Sequence, residues 1–260
     1  MRIVIFGLPK TGTSLLFYRA AATFPDYELN MERPEDLTSG LFLVHKVLVG
    51  NGATPDLLNS FSYRLMTVRD PRDRIISWLL YAPYNTLYDN HPRAQAMVKA
   101  LRQKEADPWS VSVQELCEQH MGHVFRPDLE NSAVRLDAAV LSHQVRYEEL
   151  IKGVADAAIS DHLGRWLAPL PADAETKNAV IRRVVRSKSA GYWRDWFTPA
   201  DVAYFRPQFA CYMETFDYAD DWELAAEPHL DPHLGSEYLV QLLQRRRQNS
   251  PKLRQTPYPL

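Results

Sequence analysis

The stretch Gly7-Leu8-Pro9-Lys10-Thr11-Gly12-Thr13-Ser14 (GLPKTGTS) follows the apolar run Arg2-Ile3-Val4-Ile5-Phe6 and opens a second one, LLFYRAAATF. A short β-branched run stopped by glycine reads as a buried strand. Thr13 to Phe24 has the length and composition of a helix. A strand–loop–helix turn of this kind aims successive backbone N–H groups at a helix N-terminus, where they cradle an anion. The spelling comes close to G-x-x-x-x-G-K-[ST], the loop that holds a nucleoside triphosphate. Here Thr13 occupies the lysine position and Lys10 lies inside the loop, so the side-chain cation reaches a ligand from the loop and not from the helix. The competing reading of the loop alone is an ordinary turn, stiffened by Pro9 and capped by Thr and Ser.

Three further apolar runs share this pattern. Leu41–Val49 (LFLVHKVLV) ends at Gly50-Asn51-Gly52, a turn signal. Tyr63–Val68 leads into Arg69-Asp70-Pro71-Arg72-Asp73 and then a helical stretch, and Leu141–Tyr147 precedes another. Strands alternating with helices predict an α/β fold, a parallel β-sheet flanked by helices. In such sheets ligands bind beyond the carboxyl ends of the strands, which is where both unusual motifs fall. Residues 82–135 depart from the pattern. A Pro/Tyr/Asn-rich start leads to two polar helices, about 93–104 and 111–121, read as an insertion over the sheet's edge, where substrate pockets are often built. The expected organisation is one domain over 1–225, with a C-terminal helix and basic tail over 226–260.

Composition narrows the classes. The 260 residues are 46% hydrophobic, enough for a full core, and 30 basic against 32 acidic side chains give a formal charge of -2. Bulk attraction to nucleic acid or membrane is not expected. Cys117 and Cys211 lie far apart with no metal-ligand spacing, so neither a disulfide framework nor structural zinc is expected. With no long apolar run, the expectation is a soluble, cytoplasmic protein without membrane insertion.

Arg69 ends a strand, and Ser77 follows eight residues later, about two turns into the next helix. An arginine fork there suits a second phosphate. The alternative is a surface ion-pair cluster of Arg69, Asp70, Arg72 and Asp73, of little energetic value.

Together these residues resemble the sulfotransferases that use 3'-phosphoadenosine 5'-phosphosulfate (PAPS). PKTGTS (Pro9–Ser14) matches that family's first loop, P-K-[ST]-G-[ST]-[ST], at every position, and Arg69 with Ser77 matches its arginine and serine. Tyr147-Glu148-Glu149-Leu150 matches its Y-E-[DE]-L segment. Arg186–Phe197 (RSKSAGYWRDWF) is a degraded form of R-K-G-x-x-G-x-W-[KR]-x-x-F. The resemblance runs from Pro9 to about Phe197 and implies a P-loop-nucleotide-hydrolase-like sulfotransferase fold with PAPS as donor and no metal. It also implies roles. Lys10 would stabilise the leaving 5'-phosphate, which Thr11, Gly12, Thr13 and Ser14 would hold. Arg69, Ser77 and Arg186 would hold the 3'-phosphate, with Lys188 restoring charge where Ser187-Lys188 replaces Lys-Gly. Tyr147 would lie near adenine. Leu15 replaces a tryptophan that often stacks on that base.

The acceptor must lose a proton, so a base is expected near the sulfur. The family's K-x-H strand segment corresponds to Leu-Val-His45-Lys46-Val-Leu48, where the two residues are adjacent and so point to opposite faces. His45 is favoured on its unperturbed pKa. If Lys46 matches the family's lysine, Leu48 takes the histidine position. His91 and His123 are reserves. The acceptor is expected to be a small molecule or glycan bearing a hydroxyl or amine, and the sequence does not fix the oligomeric state. Two other readings stay open, a P-loop kinase with an atypical loop and a non-catalytic nucleotide-binding protein.

Overall fold

The computed structural model describes residues 1–31, 40–121, 128–170 and 189–249. In chain order the elements are β1 (Arg2–Gly7), α1 (Thr13–Thr23), β2 (Glu28–Met31), β3 (Leu43–Leu48), α2 (Pro55–Asn59), β4 (Tyr63–Val68), α3 (Pro71–Tyr81) and α4 (Pro83–Thr86). There follow α5 (His91–Ala106), α6 (Val113–Leu116), a π-helical turn (Cys117–Met121), α7 (Asp128–Ala139), β5 (His143–Arg146), α8 (Tyr147–Leu150) and α9 (Asp156–Leu163). The last elements of the described residues are α10 (Trp193–Trp196), α11 (Pro199–Thr215), a 3-10 turn (Pro232–Leu234) and α12 (Ser236–Gln248). Among the described residues no helix is long and apolar enough to cross a membrane.

The chain divides into two compact units. The first comprises Met1–Asp70, Pro127–Ser189 and Cys211–Tyr218. Its five strands form one parallel sheet in the order β2-β3-β1-β4-β5. The chain passes from β3 on one side of β1 to β4 on the other, so the carboxyl end of β1 lies where the strand order reverses. Side chains alternate between the two faces, as the period of a strand requires. Ile3, Ile5, Val44, Leu65 and Val145 pack with Leu16, Phe17 and Ala20 of α1 and with Ile159 and Leu163 of α9. On the opposite face Val4, Phe6, Leu43, Val47, Met66 and Val68 pack with Leu58 of α2, Ala133 and Leu136 of α7, and Tyr212 and Phe216. A bidentate pair from Arg19 to Asp156, with N–O distances of 2.7 and 2.6 Å, ties α1 to α9.

The second unit comprises Pro71–Arg126, Ala190–Ala210 and Ala219–Leu260. Its α5 covers the first helix expected of the insertion, and the second is split between α6 and the π-helical turn. A capping box between Ser112 and Glu115 starts α6. Arg72 and Asp73 are 4% and 0% exposed, so they are no surface ion pair. The Arg72 guanidinium lies 4.2 Å from the Trp193 ring and 5.1 Å from that of Trp222, and it donates to the carbonyls of Asp221 and Ala219. Asp73 accepts from the N–H groups of Gly191 (2.5 Å) and Trp193 (3.0 Å). Buried charges are tolerated when backbone partners of this kind surround them.

Candidate functional site

The GLPKTGTS loop sits at the carboxyl end of β1. Its backbone turns through two left-handed residues, Lys10 (φ 75°) and Gly12 (φ 97°). Gly12 is the N-cap of α1 and has no side chain to close the helix end, which leaves the first N–H groups of α1 without a side-chain cap. A Cβ at Gly12 would stand 2.9 Å from Cδ2 of Tyr147. Thr11 is fully buried. Its hydroxyl donates to the Leu8 carbonyl (2.7 Å) and meets the Thr67 hydroxyl (2.8 Å), which anchors the loop to β4. The Thr11 side chain is thus a loop staple and is turned inward. Thr13, the first residue of α1, is 4% exposed, whereas Ser14 is half-buried.

Lys46 and His45 part company across the sheet. Lys46 faces the α1 side and its Nζ donates to Ser14 Oγ at 3.1 Å. His45 faces the other side, where its ring stacks on Phe61 with centroids 5.7 Å apart. It has no exposed surface, and neither ring nitrogen has a partner at hydrogen-bonding geometry. Burial pushes its imidazole down to about 4, against the pull of the nearby Asn30 carbonyl, and the Arg2 and Lys46 charges lower it further. Of the two adjacent strand residues, Lys46 is thus brought to the loop, and His45, the residue favoured as the base, is enclosed on the face away from α1.

Arg69 follows β4 and is 3% exposed. Its Nη1 donates to the Lys10 carbonyl at 3.1 Å, and its Cζ lies 4.2 Å over the Tyr147 ring. Tyr147, the first residue of α8, is thus flanked by Gly12 and Arg69. Beside them Glu148 Oε1 accepts from the Asp70 N–H (3.0 Å) and Oε2 from the Tyr218 hydroxyl (3.1 Å). Burial raises the Glu148 carboxyl above the usual carboxylate range, although the Asp70 N–H and the Arg69 charge oppose it. Glu148 enters the sequence reading only as a letter of the Y-E-[DE]-L segment, and Thr67 and Tyr218 are not named in it. Thr67 had a signal, since it lies two residues before Arg69 at the end of a strand. Tyr218 had none.

Thus Lys10, Thr11, Gly12, Thr13, Ser14, Lys46, Arg69 and Tyr147 gather at the carboxyl ends of β1, β3, β4 and β5. Ser77, 7% exposed, lies on α3 in the second unit, and so does His91 at the start of α5. Arg186, Lys188 and His123 lie outside the described residues. Among the described residues no group of three or more His, Cys, Asp or Glu side chains is arranged to hold a metal ion. The loop can therefore offer backbone N–H groups, the Ser14 hydroxyl and two lysines to an oxyanion. Compared with family models, curated proteins and solved structures, the chain has no match among any of them.

Proposed function

We propose that the protein is a PAPS-dependent sulfotransferase with the P-loop-like fold of that family, acting on a hydroxyl or amine of a small molecule or glycan. One observation carries the reading. The strand–loop–helix cradle has its lysine inside the loop, at Lys10, and draws a second from the neighbouring strand, Lys46 on Ser14. The position that a triphosphate-binding loop gives to lysine is held by the buried Thr13.

The chemistry asks for what these residues supply. The acceptor oxygen or nitrogen attacks sulfur, the bond from sulfur to the bridging oxygen breaks, and the electron pair stays on the nucleotide 5'-phosphate. As in phosphoryl transfer, a protein helps by in-line positioning and by neutralising charge on the leaving group. The N–H groups at the start of α1 hold the 5'-phosphate, and Lys10 donates to the leaving oxygen. Lys46 and Ser14 add donors at the same mouth. Arg69, at the end of β4 beside the loop, holds the 3'-phosphate, as the family resemblance implies. The acceptor's proton is released to solvent as its bond to sulfur forms.

Calorimetry with adenosine 3',5'-bisphosphate, adenosine 5'-phosphate and magnesium–ATP tests the reading. Tightest binding of the bisphosphate, weakened in Lys10→Ala, is the expected result. Preference for magnesium–ATP would replace the sulfotransferase by a kinase. Bisphosphate binding with no sulfuryl transfer to a panel of hydroxyl and amine acceptors would leave a nucleotide-binding protein.

A further inference from the structure

The strained residue of the loop is Lys10, a non-glycine residue at φ 75°. Residues with a Cβ rarely adopt that conformation, and it persists where neighbours hold it. The neighbour here is Arg69, whose Nη1 donates to the Lys10 carbonyl at 3.1 Å. The same guanidinium covers Tyr147 at 4.2 Å, and that ring lies so close to Gly12 that a Cβ would come within 2.9 Å of it. One buried side chain thus supports the loop on both sides of Thr11, directly at residue 10 and through an aromatic ring at residue 12. Its own backbone is tethered as well. The Arg69 N–H donates to the Tyr212 hydroxyl (3.4 Å) and the next N–H, of Asp70, to Glu148.

On the phosphate-binding reading of the loop, we propose that Arg69 is a positioning residue that keeps Lys10 in its left-handed conformation. It thereby sets the cradle for any phosphate bound there, including one on a ligand with no second phosphate. A planar, five-donor guanidinium suits the task, because it stacks on a ring by its face while donating from its edge.

Adenosine 5'-phosphate separates this role from simple ligation of a 3'-phosphate. If Arg69 positions the loop, Arg69→Ala weakens adenosine 5'-phosphate binding by about 10-fold or more, as loss of a charge-assisted hydrogen bond predicts. If Arg69 only ligates a 3'-phosphate, the monophosphate is unaffected and the bisphosphate falls to the monophosphate level, which overturns the proposal. Should the wild type bind neither nucleotide, the functional reading fails, and amide hydrogen exchange still decides the positioning role. The Thr11 N–H bonds the Leu8 carbonyl and the Leu16 N–H that of Gly12, so both report on the loop. Both should exchange about 10-fold faster in Arg69→Ala while Ile5 in β1 is unchanged. The acceleration should shrink in a Lys10→Gly background, where glycine adopts the conformation unaided. Equal exchange in wild type and variant overturns the proposal. Arg69→Gln, which keeps an N–H donor and loses the plane and the charge, serves for both measurements if Arg69→Ala does not fold.

Discussion

The Lys46 amino group and the Ser14 hydroxyl, 3.1 Å apart, join the strand beside β1 to the first turn of the helix after it. Lys46 comes from the sheet face that carries α1 and Ser14 from α1 itself, and the pair stands at the mouth of the loop.

Lys46→Met keeps most of the side chain's volume and removes its donor. If the protein has the proposed function, binding of adenosine 3',5'-bisphosphate should weaken by about 10- to 100-fold, the usual loss for one donor to an anion. The unfolding midpoint in urea should barely move. Calorimetry and a urea titration on the same preparation check both halves.

Gly12→Ala should be damaging twice over. A left-handed non-glycine residue costs about 1–3 kcal/mol, and the new Cβ would press on Tyr147. We expect that loss of stability in urea unfolding, together with loss of phosphate binding. A variant that folds and binds like the wild type would mean that Tyr147 yields freely.

His45 makes stability depend on pH in a stated direction. Its folded value is about 4 against 6.5 for the free group, so between these the unfolded chain holds the proton. Stability is complete above 6.5 and falls as the pH drops toward 4, by at most about 3 kcal/mol from this residue. His45→Leu removes the effect. Unfolding curves of wild type and variant at several pH values should therefore converge or cross as the pH falls, and parallel curves would show that His45 is solvated.

Asp73→Ala strips the acceptor from two backbone N–H groups, those of Gly191 and Trp193. An unpaired buried donor costs about 1–3 kcal/mol, so the Trp193 N–H alone predicts a loss of about 1–3 kcal/mol, to which the half-buried Gly191 N–H adds. Thermal denaturation measures it. The Trp193 and Trp222 rings around Arg72 should report the same loosening as a red-shifted fluorescence.

Much of the frame could be read from residue order because it depends on local periodicity. The run that became β1 is β-branched, those that became β3 and β4 are largely apolar, and glycine, proline or charge bounds most of them. The opposite orientations of His45 and Lys46 follow from strand geometry alone. Which of the two faces the loop does not, because that depends on where α1 packs. β2 escaped notice because Glu28-Leu29-Asn30-Met31 is too short and too mixed to show a period. Arg72 and Asp73 look like a surface pair in the sequence because their partners, Trp193 and Gly191, come from far along the chain. The inward turn of Thr11 was hidden for the same reason, since Thr67 supplies the other hydroxyl. Periodicity shows where a side chain starts, and long-range packing decides what it meets.

The wedge of Tyr147 between Gly12 and Arg69 carries a thermodynamic consequence. The loop is braced by contacts that form when the chain folds, so the entropy of ordering it is spent before any ligand arrives. An anion docking there has little backbone left to freeze. Its association should run near the rate set by diffusion and charge, with a small heat-capacity change, and the affinity should be expressed mainly in how slowly the anion leaves.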